Sequence, residues 1–341
     1  MQQSQQYSER EEEWIFVKTK EEKLIDIVID GRIIKAADRA IRKRSDQFTS
    51  APLSDAFFAT LGVACGQISK VNCRIPVIRG LEHVRNILPS DMRAFSNAFS
   101  AVSPYSYRLA DKTNEISEQE MISAAKLNQI WRSLGGHELD NWHDDHRVSL
   151  VALGAPALEF EELKSFQAMA SNYYKDKEVE VLISATPAAI NEAVQTNPKI
   201  MNSLLDFGVH FLPDDSTQTM LRTIQSRNPH LTKSTFSRDN FVAYSGLVTN
   251  SPTIAMAASR YLPQYRRSTN FSGIVGCLDA AVTARPPTRR PLWLLNQRRG
   301  YSTQKVSISP ALAQPLYQVA RQHLTSNTVH HLNRLARRLL M

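Results

Sequence analysis

The stretch ISEQEMISAAKLNQIWRSL, from Ile116 to Leu134, carries the clearest helical pattern in the chain. Its apolar residues recur at intervals of three to four, the spacing that places them on one face of a helix. Gly135 and Gly136 follow, and glycine commonly ends a helix. Similar signals predict helices in five further segments and a helical character for much of 52–102; the five segments are 33–44, 157–174, 187–195, 199–207 and 216–226.

Two segments favour strands. Residues Leu24–Ile29 have the alternating pattern of a strand and are rich in β-branched side chains. The dipeptide Asp30-Gly31 that follows is typical of a tight turn. The sequence EVEVLISA, residues 178–185, predicts a second strand. The predicted fold is therefore mainly α with a small β component, namely a short N-terminal hairpin and one or two isolated strands. A compact helical body and a basic C-terminal extension complete this prediction.

Length and composition define the expected domain organisation. The chain has 341 residues, of which 42% are apolar and 22% charged, which is enough apolar material for a large core. We expect a disordered polar arm over 1–13, a helical body over 14–259 and an Arg-rich region over 260–341. A body of two lobes, divided near 135–156, is the alternative. No apolar run reaches the length of a membrane span, and the N-terminus lacks the pattern of a signal peptide.

Charge is distributed unevenly along the chain. The residues from Arg260 to the end include 13 basic side chains and one acidic side chain, whereas the rest of the chain has a net charge of −4. Twelve of those 13 are Arg, whose planar group of donors matches a phosphate and stacks on a base. This pattern favours a polyanionic partner, with nucleic acid the first candidate. An acidic protein and an anionic membrane surface are the alternatives.

Arg doublets interleaved with aromatic residues suit binding to single-stranded nucleic acid, because Arg neutralises phosphates and aromatic rings stack on unpaired bases. A second basic patch lies on the predicted helix over 33–44. The predicted binding residues are Arg266, Arg267, Arg285, Arg289, Arg290, Arg298, Arg299, Trp293 and Tyr301, with Arg42, Lys43 and Arg44 as the second patch.

Signals for catalysis are sparse. The segment HELDNWHDDH, from His137 to His146, concentrates three histidines and four acids, but its spacing differs from that of a helical HExxH zinc site. An acidic loop and a metal-dependent enzyme are the two interpretations. The sequence has no nucleophile elbow, phosphate-binding loop or dinucleotide fingerprint, and Cys65, Cys73 and Cys277 are interpreted as free thiols. We therefore predict no catalytic residue, metal or cofactor.

The polar N-terminal arm, the helical body and the Arg-rich segments RYLPQYRR and RPPTRRPLWLLNQRRGY resemble the nucleocapsid or coat proteins of RNA viruses. That resemblance implies protomers that exchange terminal arms and enclose RNA in a basic groove. The predicted function is non-enzymatic RNA binding and self-assembly in the cytoplasm or a virion, with single-stranded RNA and further copies of the chain as partners. The alternatives are an adaptor whose basic tail docks on an acidic protein or membrane surface, and the metal-dependent enzyme.

Overall fold

The chain forms two parallel β-sheets with helices, which makes it an α/β protein and not a mainly α protein. A computed structural model describes part of the chain. The described residues are 23–46, 55–110, 118–135, 147–212, 216–227, 245–262, 265 and 268–287.

The first sheet has four strands in the order β3-β2-β1-β4, all of them parallel. These strands are β1 (Leu24–Ile29), β2 (Ile75–Arg79), β3 (Arg108–Leu109) and β4 (Gln119–Ile122). The accompanying helices are α1 (Gly31–Asp46), α2 (Asp55–Asn72), α3 (Pro89–Ser100) and α4 (Ala124–Ser133). Ile25, Ile27 and Ile29 share one face of β1, because side chains alternate along a strand, and they lie in one buried core with all four helices. We call this unit the first lobe.

Helices α2 and α3 pack closely because α2 carries glycine at two positions one turn apart. A Cβ atom at Gly62 would lie 2.3 Å from the Phe95 carbonyl oxygen, and one at Gly66 would lie 2.9 Å from the Phe99 carbonyl oxygen. Any larger residue there would collide with the backbone of α3. The two glycines therefore fix the position of α3 on the first lobe.

The second sheet has five parallel strands in the order β7-β6-β5-β8-β9. Its strands are β5 (Arg147–Leu158), β6 (Glu180–Ala185), β7 (Val209–Leu212), β8 (Ser245–Thr249) and β9 (Thr269–Phe271). Its helices are α5 (Phe160–Ala170), α6 (Pro187–Thr196), α7 (Pro198–Asp206), α8 (Thr217–Arg227), α9 (Pro252–Tyr261) and α10 (Ile274–Thr283). This unit is the second lobe.

Helices cover both faces of the second sheet. Val151 and Val181 face a core shared with α5, α7 and α10, whereas Leu150 and Leu182 face a core shared with α8 and α9. A strand buried on both faces has apolar residues in succession and no polar–apolar alternation. The long strand β5 shows this composition, RVSLVALGAPAL.

The prediction of a mainly α fold with isolated strands and an N-terminal hairpin was wrong. Strand β1 pairs in parallel with β2 and β4, and parallel neighbours cannot be joined by a two-residue turn. Asp30-Gly31 instead marks the beginning of α1. Strands β2 and β8 are short apolar runs and β5 is a longer one. Periodicity alone does not distinguish such a run from a segment of a buried helix.

Most of the predicted helices are present. Helices α1, α5, α6, α7 and α8 coincide closely with the predicted segments, and the predicted strand over 178–185 contains β6. The segment 116–134 divides into β4 and α4. Among the described residues, no helix has the length and apolar character that crossing a membrane would require. The predicted domain boundaries stay predictions.

Candidate functional site

Each sheet contains a point at which the strand order reverses. In the first sheet the chain proceeds outward from β1 through β2 to β3 and then returns to place β4 on the other side of β1. The second sheet repeats this pattern, so that β5 and β8 flank its reversal. In open parallel sheets, ligands bind outside the carboxyl ends of the strands at such a reversal. The chain therefore offers two candidate positions.

The reversal of the first sheet is occupied by local contacts. The Asp30 carboxylate accepts a hydrogen bond from the Arg32 backbone N–H at 2.8 Å and also pairs with the Arg32 side chain. These hydrogen bonds lower the pKa of Asp30. Ser123, after β4, accepts the Lys126 N–H at 3.2 Å and caps α4. Both polar groups thus serve the helix that follows them.

The reversal of the second sheet contains an irregular turn. The pairing of β5 with β6 shifts register between Leu153 and Leu158. Within this shift Gly154 has a φ of 120° and Ala155 a φ of 60°, a left-handed conformation that is uncommon for a residue with a side chain. A Cβ atom at Gly154 would lie 2.7 Å from the Ser184 Cβ, so glycine is required there. We call Gly154 and Ala155 the junction turn.

Side chains from both lobes hold the junction turn. The Ala155 carbonyl accepts a hydrogen bond from Asn97 Nδ2 of α3 at 2.6 Å and another from Ser251 Oγ at 2.5 Å. The Gly154 N–H donates to Asn250 Oδ1 at 2.9 Å. Ser251 also accepts the Ile254 N–H at 3.3 Å and so caps α9. The turn is therefore linked to α3 on one side and to the loop between β8 and α9 on the other.

A charged cluster lies next to the junction turn. The Arg93 guanidinium pairs with the carboxylates of Glu159 and Glu162 at the beginning of α5. The Glu162 side chain also accepts the Glu159 backbone N–H at 2.9 Å, and Thr186 Oγ1 donates to Glu159 at 3.4 Å. Burial raises the pKa of Glu162, although the hydrogen bond from the Glu159 N–H and the charge of Arg93 oppose that effect. Arg93 thus supplies the positive charge that compensates a largely buried carboxylate.

The second reversal is the better candidate for a ligand site. It combines backbone groups in an irregular conformation with hydroxyl, amide and charged groups from two lobes, whereas the first reversal uses only neighbouring residues of its own lobe. Sites between two packed units and beside bulges are common positions for ligands. Hydroxyl, amide and guanidinium groups are suited to hydrogen bonding a small polar substrate.

Most of the predicted nucleic-acid-binding residues lie outside the described part of the chain. Arg42, Lys43 and Arg44 belong to α1 of the first lobe. Arg285 is exposed just after α10 of the second lobe. The residues outside the description are Arg266, Arg267, Arg289, Arg290, Trp293, Arg298, Arg299 and Tyr301, and the segment His137–His146 also lies there. Their predicted roles are untested, and binding of RNA and of further copies stays a prediction.

Sequence reasoning did not identify the residues of the second reversal. Asn97, the junction turn and Ser251 are separated by more than fifty positions from one to the next, so no local spacing connects them. A weak signal is present, because Gly154 interrupts an apolar run and Ser251-Pro252 has the composition of a helix start.

Comparisons with known proteins show a similarity in sequence to a curated enzyme and a similarity in fold to solved structures. The chain is 26% identical over 249 residues to a cis-3-hydroxy-L-proline dehydratase of Pseudomonas aeruginosa. The match covers 71% of this chain and 39% of that protein, so the chain spans about two fifths of the relative's length. No family model matches. The fold is similar to that of aconitase X from Thermococcus kodakaraensis in its holo-form, with a TM-score of 0.50 and 12% identity over 76% of this chain and 55% of that one.

These comparisons overturn the interpretation as a non-enzymatic, nucleocapsid-like protein. The relative is a cis-3-hydroxy-L-proline dehydratase and the similar structure is an aconitase X, and neither is a viral coat protein. The viral resemblance and the predicted absence of enzymatic activity were wrong, and nothing in the comparisons supports a virion localisation. They rested on charge and on missing motifs, and neither property reports a site assembled from distant residues.

No set of metal ligands is found among the described residues. Among them, no group of three or more His, Cys, Asp or Glu side chains is placed to hold an ion. Cys65 is buried in α2 and Cys277 in α10, whereas Cys73 is exposed. Burial raises the pKa of Cys65, which favours its thiol form.

Proposed function

We propose that this chain forms part of a dehydratase that eliminates water from a small hydroxylated amino acid or carboxylic acid. The observation that carries the proposal is the 249-residue alignment with a cis-3-hydroxy-L-proline dehydratase. The similarity of fold to an aconitase X supports it. We place the substrate at the reversal of the second sheet, against the junction turn.

The reaction is an elimination across two neighbouring carbons. A base removes the proton on the carbon next to the carboxylate, the electron pair of that C–H bond forms the C=C bond, and the hydroxyl group leaves with a proton as water. With cis-3-hydroxy-L-proline the product is an enamine. It becomes the cyclic imine when the ring nitrogen loses a proton and the carbon that carried the hydroxyl gains one. No redox partner is needed, because the formal oxidation of the carbon that loses the proton is matched by the formal reduction of the carbon that loses the hydroxyl, and the substrate loses only the elements of water.

The groups at the junction suit parts of this substrate. Arg93 is a cation beside the turn, although Glu159 and Glu162 already engage it. The hydroxyls of Ser251 and Thr186 and the amides of Asn97 and Asn250 provide further donors and acceptors. We assign none of them as the base, since each of these polar groups has a defined structural partner in the described region.

The test uses the full-length chain with three isomers: cis-3-, trans-3- and trans-4-hydroxy-L-proline. Imine formation is followed by reduction with borodeuteride and mass detection of deuterated proline, and binding is followed by ligand-observed NMR. We expect cis-3-hydroxy-L-proline to be converted, or bound at least ~10-fold more tightly than the trans-4 isomer, a difference of about 1.4 kcal/mol. Failure of the chain to convert or bind any of the three would overturn the proposal for this substrate class.

A further inference from the structure

The junction turn is the one place in the described region where a left-handed non-glycine residue lies at the reversal of the second sheet. Ala155 has a φ of 60°, follows Gly154 at 120°, and lies within the register shift between β5 and β6. A left-handed alanine is strained and persists only where its surroundings hold it. The contacts that hold Ala155 therefore determine the shape of this part of the proposed site.

Two donors use the full accepting capacity of the Ala155 carbonyl. A carbonyl oxygen has two lone pairs, and here one accepts from Asn97 Nδ2 at 2.6 Å and the other from Ser251 Oγ at 2.5 Å. Ser251 belongs to the same lobe as the turn, whereas Asn97 comes from α3 of the first lobe. Removing Asn97 would leave the carbonyl with one donor and would remove the hydrogen bond that links the turn to the first lobe.

Helix α3 is a rigid support for this contact. Its backbone rests directly on Gly62 and Gly66 of α2, with no room for a side chain between them. Arg93 lies one turn before Asn97 on α3. It pairs with Glu159 and Glu162 at the start of α5, which follow the junction turn in the chain. The helix thus contacts the chain at the turn and just beyond it, through side chains on the same face.

We propose that Asn97 is a positioning residue for the substrate of the second lobe: from α3, it holds the Ala155 carbonyl and thereby sets the conformation of the junction turn. This inference rests on the proposed function for its substrate. The effect of Asn97 on the conformation of the junction turn does not depend on that function. Asn97 does not itself take part in the elimination. Its loss changes how well the substrate is placed.

The experiment compares Asn97→Ala with Asn72→Ala in the full chain. Asn72 is a suitable control because its Nδ2 also donates from a helix to a backbone carbonyl, that of Ile68 at 2.9 Å, and to Glu120 Oε1 at 3.4 Å, and both of these acceptors belong to the first lobe. Hydrogen exchange of peptides covering 150–158 reports the turn. A single hydrogen bond contributes on the order of 1 kcal/mol, so Asn97→Ala should accelerate exchange there by roughly 3- to 10-fold while Asn72→Ala leaves it unchanged.

Substrate measurements complete the test. With cis-3-hydroxy-L-proline, Asn97→Ala should raise KM, or weaken binding, by roughly 3- to 10-fold, and Asn97→Gln should restore part of the loss. Unchanged exchange over 150–158 would overturn the role of Asn97. Accelerated exchange with unaltered substrate parameters would overturn its role in positioning. Exchange is measured without substrate, so failure of the wild-type chain to bind any isomer would reject the proposed function alone.

Discussion

The first four strands of each sheet follow one strand order, but the two sheets use their reversals differently. At the first reversal, Asp30 and Ser123 cap the helices that follow them, and the contacts span only a few residues. At the second, the junction turn is held by Asn97 of the other lobe and by Ser251, 96 positions further along. The comparison shows that one topology can carry short-range capping contacts at one reversal and long-range side-chain contacts at the other.

The largest expected effect concerns the support of α3. Gly62→Ala would place a Cβ atom 2.3 Å from the Phe95 carbonyl oxygen, and we expect it to lower the free energy of unfolding by about 1–3 kcal/mol. Gly31→Ala is the control, because nothing lies within 4 Å of a Cβ atom there. Denaturant unfolding of both variants measures the difference. Equal stabilities would contradict the close packing of α2 and α3.

The next effect concerns the charged contact between the lobes. Arg93→Ala leaves the largely buried Glu162 carboxylate without its cation, and we expect a loss of about 1–2 kcal/mol. The matched control is Arg147→Ala, which removes an exposed pair with Glu178 and should cost about 0.5 kcal/mol or less. Thermal unfolding separates the two variants. If Arg147→Ala loses as much stability as Arg93→Ala, the position of Arg93 between the lobes does not make its ion pairs more stabilising than an exposed pair.

A smaller effect is expected at the first reversal. Asp30→Ala removes the acceptor of the Arg32 N–H at the start of α1 and should cost about 1 kcal/mol. Asp30→Asn keeps an oxygen in that position and should lose less than half as much. Neither variant should alter hydrogen exchange over 150–158. Faster exchange in that segment would contradict the separation of the two reversals.

The smallest effect is a pH dependence of opposite sign at the two reversals. The pKa of Asp30 is lowered in the folded chain, so its contribution is present above the ordinary value of 3.8 and is lost as the pH falls through the folded pKa. The pKa of Glu162 is raised above its ordinary value of 4.5. The wild-type chain therefore loses stability relative to Glu162→Gln as the pH rises from 4.5 through the folded pKa. Unfolding of wild type, Asp30→Asn and Glu162→Gln across this range tests both signs. Parallel curves for the two variants would contradict the assignment.

Much of the helical structure could be predicted from the sequence, but the sheets could not. Helices α5 to α8 follow capping residues and a 3.6-residue pattern, which are local signals. Strands β5 and β8 have a layer of helices on each face of their sheet. They therefore lack the alternation of polar and apolar residues that identifies a half-exposed strand. The Asp30-Gly31 dipeptide suited a hairpin equally well, and only parallel pairing with β2 and β4 decides against it.

The candidate site was beyond sequence reasoning for a related reason. Asn97, Ala155 and Ser251 meet only because the two lobes pack together, and no spacing in the sequence encodes that contact. The Arg-rich C-terminal region, by contrast, is conspicuous in the sequence and led to the wrong class of function. Net charge reports the partners that a surface attracts and does not report the chemistry of a buried junction.

Hydrogen exchange of the full chain with and without cis-3-hydroxy-L-proline tests the central claim most directly, because it asks which reversal receives the ligand. The account predicts added protection in peptides covering 88–97, 150–158 and 249–254, the segments that meet at the junction turn. Protection confined to 29–34 and 122–126, or no added protection at a concentration that saturates binding, would contradict it.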